Sequence, residues 1–218
     1  MNWILRLLAS SVGKKIFMAV SGVLLLFFLI AHLAGNLTLV GGKEMLALYA
    51  HTLHSFPLVV VAMEIGLGAI FLAHILLGLT LFLQNRKAKG SQYAVSSGRG
   101  GKTWASATMP YSGLLILVFL IIHLSDFTVK NYVNGWTGEE LVEQVLIAFT
   151  GTARILYYIA MVIIVGIHVS HGFWSLFQSL GWTNSRTLPV LKIVGKVVGV
   201  AFAIGFGILP LIAFSLAK

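Results

Sequence analysis

Five long apolar stretches alternate with short polar segments along the chain, at roughly Ile16–Leu39, Phe56–Leu83, Met109–Phe127, Ile155–Phe177 and Val190–Ala217. Each is long enough to cross a bilayer, which takes about 20 helical residues. Lipid offers backbone N–H and C=O groups no partner, so a spanning segment of this length satisfies them within a helix. The pattern predicts an all-α integral membrane bundle of five transmembrane helices, a single domain over residues 1–218. No small-residue cleavage site follows the first apolar stretch, which leads into a loop and a second span, so it reads as a retained helix and not a signal peptide. Between the first two spans, Lys43–Phe56 reads as an amphipathic helix.

Composition agrees with lipid as the solvent. The chain is 58% hydrophobic and 10% charged, against about 25% charged residues in soluble domains. It has no cysteine, which excludes disulfides, cysteine-ligated iron–sulfur clusters and covalently attached c-type haem. A net charge of +9 would point to nucleic acid in a soluble protein. Here the charge lies between spans and sets topology, and no nucleic-acid partner is expected. Arg6, Lys14, Lys15, Arg86, Lys87, Lys89, Arg99, Lys102, Arg186, Lys192 and Lys196 share one side, which holds no Asp or Glu. The other side has Lys43, Lys130, Arg154 and Lys218 together with Glu44, Asp126, Glu139, Glu140 and Glu143. The positive-inside rule puts the N-terminus in the cytoplasm and the C-terminus outside. The basic loops read either as topology signals alone or as a docking surface for a cytoplasmic partner.

The first and third spans resemble each other. Met18–Leu33 reads MAVSGVLLLFFLIAHL and Met109–Leu124 reads MPYSGLLILVFLIIHL, with ten of sixteen positions identical. Leucine matches are cheap in membrane helices, but Ser21/Ser112, Gly22/Gly113, Phe28/Phe119 and His32/His123 are not. Spans 2 and 4 share a weaker echo, His74, Gly78 and Gln84 against His168, Gly172 and Gln178. The first four spans therefore read as a duplicated hairpin. Running direction sets depth: His32 and His123 fall toward the outside, His74 and His168 toward the cytoplasm. The two layers are about nine helical residues apart, on the order of 13 Å.

A histidine within a span is a functional hypothesis by default. One alone would more often be a packed, hydrogen-bonded residue, but four in two facing pairs suit haem iron, whose two axial positions take one imidazole from each side. Two separated pairs do not suit a tetrahedral zinc site. Gly78 and Gly172, one turn beyond His74 and His168, give room for a porphyrin or for close helix packing. Ser21 and Ser112 each precede a histidine by eleven residues, almost three full turns and about 16 Å of rise. That places them at the level of the His74/His168 layer, beside the edge or propionates of its haem, with Gly22 and Gly113 making space. The alternative is that each hydroxyl bonds back to its own helix.

These residues carry a resemblance over nearly the whole chain. Gly13-Lys14-Lys15, Met18-Ala-Val-Ser21-Gly22, His32-Leu-Ala-Gly-Asn36, Ala50-His51, Ala73-His74 with Gly78, His123-Leu-Ser-Asp126-Phe127 and His168-x-x-His171-Gly172-Phe-Trp174 resemble the di-haem, five-helix cytochrome b subunit of succinate dehydrogenases and fumarate reductases. The resemblance implies two b haems, one on His74 and His168 nearer the cytoplasm and one on His32 and His123, the same pairing that depth gives. It implies a membrane anchor in the bacterial cytoplasmic membrane, docked to an iron–sulfur subunit and to a flavoprotein with FAD that carries the dicarboxylate chemistry. Electrons would pass through the haems between those partners and a quinone, menaquinone by the di-haem resemblance. His171 departs from the Asn that other members often carry, and the Gly78/Gly172 echo favours His168 as ligand, with His171 and Arg154 counted among cofactor neighbours. An acidic residue linked to proton transfer in some fumarate reductases has no counterpart near Gly166.

The quinone site is expected toward the outer face, with His51, His54, Phe56 and Glu64 as candidates. Glu64 is the only acid well inside a span, and a buried carboxylate can take a quinol proton; it also reads as a polar contact near a helix end. Two rival functions are a haem b subunit of another respiratory enzyme, such as a formate dehydrogenase or hydrogenase, and a haem-free transporter. The duplicated Ser-Gly…His pattern speaks against the first. The lack of a broken, strongly polar span speaks against the second, Pro210 alone interrupting a late span.

Overall fold

The computed structural model describes residue 6, residues 10–88, 104–136 and 138–218, with side chains omitted at 88 and 104–106. Lys89, Arg99 and Lys102 of the basic loop lie outside the described residues.

Five described helices are long and apolar enough to cross a bilayer, and no strand occurs among the described residues. This is a multi-pass, all-α membrane protein. In chain order, α1 is Ser11–Asn36, continued by a 3-10 turn Leu37–Gly41; α2 is Lys43–His54 and α3 is Pro57–Ala88. Then come α4, Trp104–His123, a π-helical turn Leu124–Val129, and α5, Lys130–Asn134. The chain ends with α6, Gly138–Ala148, α7, Thr152–Ser179, and α8, Thr187–Leu216.

Helix ends extend beyond the apolar runs because local polar groups satisfy the free backbone there. Ser10 caps α1, its hydroxyl accepting from the Gly13 N–H at 2.9 Å, so the helix starts before the first apolar residues. Past α7, the Gly181 and Trp182 N–H groups bond back to Gln178 and Phe177, and Gly181 takes a φ of 76° that a side chain would resist. Asn184 then caps the entry to α8, its Oδ1 accepting from the Arg186 and Thr187 N–H groups at 2.9 Å each.

Neighbouring spans run antiparallel, which gives the bundle a basic end and an acidic end. At the basic end, Lys14 at the start of α1 donates to Gln84 near the end of α3 at 3.3 Å. There too, Lys192 lies 5.0 Å from the centre of the Trp174 ring. At the acidic end, Asp126 after α4 meets Arg154 at the start of α7. The densest apolar core is also at this end, where α2 and α6 fold over the ends of the spans and bury Leu46, Val142, Leu146, Ile155 and Leu209. By contrast, α3 has no fully buried residue among those described, as a helix surrounded mostly by lipid can.

The closest packing joins α7 to α8 through small residues. A Cβ on Gly199 would lie 2.8 Å from the Ser170 Cβ, and one on Gly166 would lie 3.1 Å from the Ala203 Cβ. Without a hydrophobic drive between helices in lipid, such backbone approach is what holds them. Gly199→Leu is therefore expected to pry α8 from α7, at a cost of about 1–3 kcal/mol or more by overpacking. A lowered unfolding midpoint in detergent, with Val200→Leu as the control on the exposed side, checks it.

Candidate functional site

The four span histidines form two pairs in two layers. In the layer nearer the basic end, Ser21 on α1 faces His74 on α3, and Ser112 on α4 faces His168 on α7. The contacts are alike: Ser21 Oγ lies 3.0 Å from His74 Nδ1 and 3.0 Å from the Met18 carbonyl. Ser112 Oγ lies 3.0 Å from His168 Nδ1 and 3.0 Å from the Met109 carbonyl. Both serines are buried. The two Ser–His contacts thus share one local geometry.

Counting hydrogens favours one tautomer. A serine hydroxyl has one hydrogen, and a carbonyl can only accept. The hydroxyl hydrogen satisfies Met18 or Met109, so the second contact is made by an Nδ1–H donating to the serine oxygen. In a neutral imidazole an Nδ1–H leaves the lone pair on Nε2, the form that binds a metal. A hydrogen bond to the other ring nitrogen that fixes tautomer and orientation is characteristic of metal-ligating histidine. Each serine thus bonds back to its own helix, as the alternative reading expects, and also reaches a ring nitrogen of the histidine layer.

Glycines pass close to these rings. A Cβ on Gly22 would lie 3.6 Å from His74 Cε1, and one on Gly113 3.5 Å from His168 Cε1. The echoed pair Gly78 and Gly172 differ: a Cβ on Gly78 would meet the Met18 methyl at 3.0 Å, whereas Gly172 faces open space. His171 is buried, its ring edge-on to Trp174 at 4.6 Å and its Nδ1 without a partner.

In the other layer, His32 on α1 and His123 on α4 have ring centres 5.9 Å apart with perpendicular planes. Phe28 and Phe206 pack on His32 at 5.3 and 5.7 Å. Phe119, Phe127 and Tyr158 surround His123 at 5.6, 5.3 and 6.2 Å. The His123 Nδ1 is buried without a partner. The Asn36 amide donates to the His32 carbonyl at 2.8 Å and lies 3.5 Å from its Nε2, too long to occupy that nitrogen firmly.

These pairs can be tested against haem directly. Imidazole nitrogens bind first-row metals at about 2 Å, so two rings on opposite sides of one ion have centres about 6 Å apart. The His32–His123 ring centres, 5.9 Å apart, lie close to that spacing, which is also that of an edge-to-face ring contact. Among the described residues no group of three or more His, Asp or Glu could hold a bare ion; haem asks the protein for two ligands per iron. No family model, curated protein or solved structure matches this chain. The site is therefore read from its own geometry.

The quinone candidates separate. Glu64 on α3 accepts a hydrogen bond from the Tyr132 hydroxyl on α5, and both side chains are exposed. His54 turns back on its own helix, Nδ1 2.8 Å from the Ala50 carbonyl, and His51 and Phe56 are exposed. Tyr132 was not singled out in the sequence, nor was Tyr158, whose hydroxyl donates to Asp126 at 2.9 Å. Arg154 and Tyr158 are four apart on one helix, a spacing that puts both on one face. Tyr132 gives no such local signal, being 68 positions from its partner.

The serine contacts lead to a specific expectation. In a Ser21→Ala, Ser112→Ala variant, the His74/His168 imidazoles lose their acceptors and become less basic. Any haem on them should bind roughly 10–100-fold more weakly, with a raised potential, while one on His32/His123 is unaffected. Redox titration resolving the two centres checks this.

Proposed function

We propose that this chain is a di-haem cytochrome b, the membrane anchor of a succinate dehydrogenase or fumarate reductase. It would carry electrons between a membrane quinone, menaquinone by the resemblance, and an iron–sulfur subunit docked at its basic, cytoplasmic end. A flavoprotein with FAD would complete the complex on that face, in the bacterial cytoplasmic membrane. The carrying observation is the repeated Ser–His contact, which holds His74 and His168 as ligand-ready imidazoles on facing hairpins.

His74 and His168 would hold one haem and His32 and His123 the other. When bound, the two haems supply one-electron transfer across a hydrocarbon core of about 30 Å. The chain's own residues do the rest. Ser21 and Ser112 set the tautomer and aim of the inner ligands. Phe28, Phe119, Phe127 and Phe206 keep water from the outer pair. Glu64 and Tyr132, exposed at the lipid side near the acidic end, are placed to meet a quinone head group arriving through the bilayer. Oxidation of a quinol releases two protons and two electrons; the Glu64 carboxylate is the acceptor for a proton, and the Tyr132 hydroxyl orients that carboxylate.

A reduced-minus-oxidised optical spectrum of the purified full chain tests the haem. Low-spin bis-imidazole bands are expected. A spectrum without them would overturn the proposal. Co-purification with an iron–sulfur and a flavin subunit, against other soluble partners, tests the choice of complex.

A further inference from the structure

We infer that a cavity at the acidic end is a binding site for an anionic oxygen group, a carboxylate or phosphate, carried by an amphiphile. The cavity measures about 390 Å³ and is walled by Asp126, Lys130, Gln144, Thr150 and Arg154, with Ile147 and Ala148 forming its apolar side. It lies where the third span ends and the fourth begins, the depth of lipid head groups.

One polar atom of its wall lacks a partner. Of the five buried side-chain atoms lacking a hydrogen bond among the described residues, four belong to His123, Asn131, Arg154 and Tyr157. Arg154 lines the cavity, and Asn131 is the chain neighbour of Lys130, which also lines it. Native proteins pair nearly all such atoms, so the unpaired Arg154 Nε marks a place for a ligand's polar group.

The charge selects an anion. Lys130 and Arg154 face a single carboxylate, Asp126, which is engaged by Arg154 and by the Tyr158 hydroxyl. A guanidinium has five N–H groups; one terminal nitrogen serves Asp126, and the Arg154 Nε is free of partners. The Thr152 and Ala153 N–H groups at the start of α7, beside Gly151 in the wall, have no carbonyl behind them in the helix. The π-helical turn Leu124–Val129 carries Asp126 and leads into Lys130; such turns recur at functional sites.

Two sources have this chemistry. A propionate of a haem on His32 and His123 is one, since Asp126 lies three residues beyond His123; that arm rests on the proposed function. The phosphate of an anionic phospholipid is the other. The full chain in nanodiscs distinguishes them. Haem b is titrated against its dimethyl ester, and native mass spectrometry compares retention of phosphatidylglycerol and phosphatidylcholine. The variants are Lys130→Gln and the charge-neutral pair Asp126→Asn with Arg154→Gln, with helical content as the folding control. With a propionate as ligand, haem b outbinds its ester by at least about tenfold in the parent, and the variants lose that preference. With a lipid, the parent retains phosphatidylglycerol selectively and the variants do not. Lys130→Gln keeps the ion pair intact, so it decides the matter if the double variant fails to fold. A parent without either preference, or variants that keep the parent's, would overturn the inference. A parent that binds no haem defeats the proposed function and leaves the lipid comparison to decide the cavity.

Discussion

Replacing His74 with Ala is expected to abolish one of two haems and leave the other intact. His74 is held by Ser21 on the neighbouring span, and nothing else on α3 can take its place, since the helix has no second histidine. The His32–His123 pair belongs to other helices, with its own aromatic surround, so it should continue to bind. The haem content of the purified variant should fall from two per chain to about one, a complete loss at one site because a single remaining imidazole lacks the facing ligand. His171→Asn is the companion. Its ring lies against Trp174 and no serine fixes it, so both haems should remain. Two low-spin haems in His74→Ala, or loss of one in His171→Asn with retention in His168→Asn, would reverse these assignments.

Glu64→Gln is expected to slow quinone turnover by about 10²–10⁴-fold, the usual worth of a positioned acid–base group, without changing the haem spectrum. Glutamine keeps the shape and a hydrogen-bonding carbonyl for Tyr132 but cannot take a proton. Tyr132→Phe removes only the hydroxyl that orients Glu64, so its effect should be smaller and in the same direction. His54→Ala should change little, because that ring is turned to its own helix. Steady-state turnover with a soluble quinone analogue, beside optical spectra of each variant, measures all three. Full turnover in Glu64→Gln would remove this carboxylate from the chemistry.

Much of the fold could be read from the chain because lipid leaves few choices. A run such as Val190–Ala217 must be a helix whatever packs on it. The ends were less legible, since Ser11–Lys15 and Thr187–Lys192 contain polar residues that hydropathy discounts, while Ser10 and Asn184 supply the capping that extends the helices. The two histidine layers follow from depth, a one-dimensional quantity that sequence records well. What the serines touch does not, because depth carries no azimuth: the contact of Ser21 and Ser112 with a ring nitrogen appears only in three dimensions. The turn after His123 was hidden for another reason. A π-helical stretch adds about one residue per turn, so the face on which Asp126 meets Arg154 cannot be found by counting at 3.6. Tyr132 and Glu64 meet through tertiary packing, and no local spacing announces a contact between spans so distant in the chain.

Haem stoichiometry measures the central claim most directly. The full-length chain, purified from membranes with haem supplied, is assayed for haem b per polypeptide together with low-temperature electron paramagnetic resonance. Two low-spin bis-imidazole centres per chain are expected, with distinct spectra reflecting one serine-supported pair and one perpendicular, phenylalanine-lined pair. A chain that folds as a helical bundle and binds no haem, or one whose haem survives loss of all four span histidines, would contradict it.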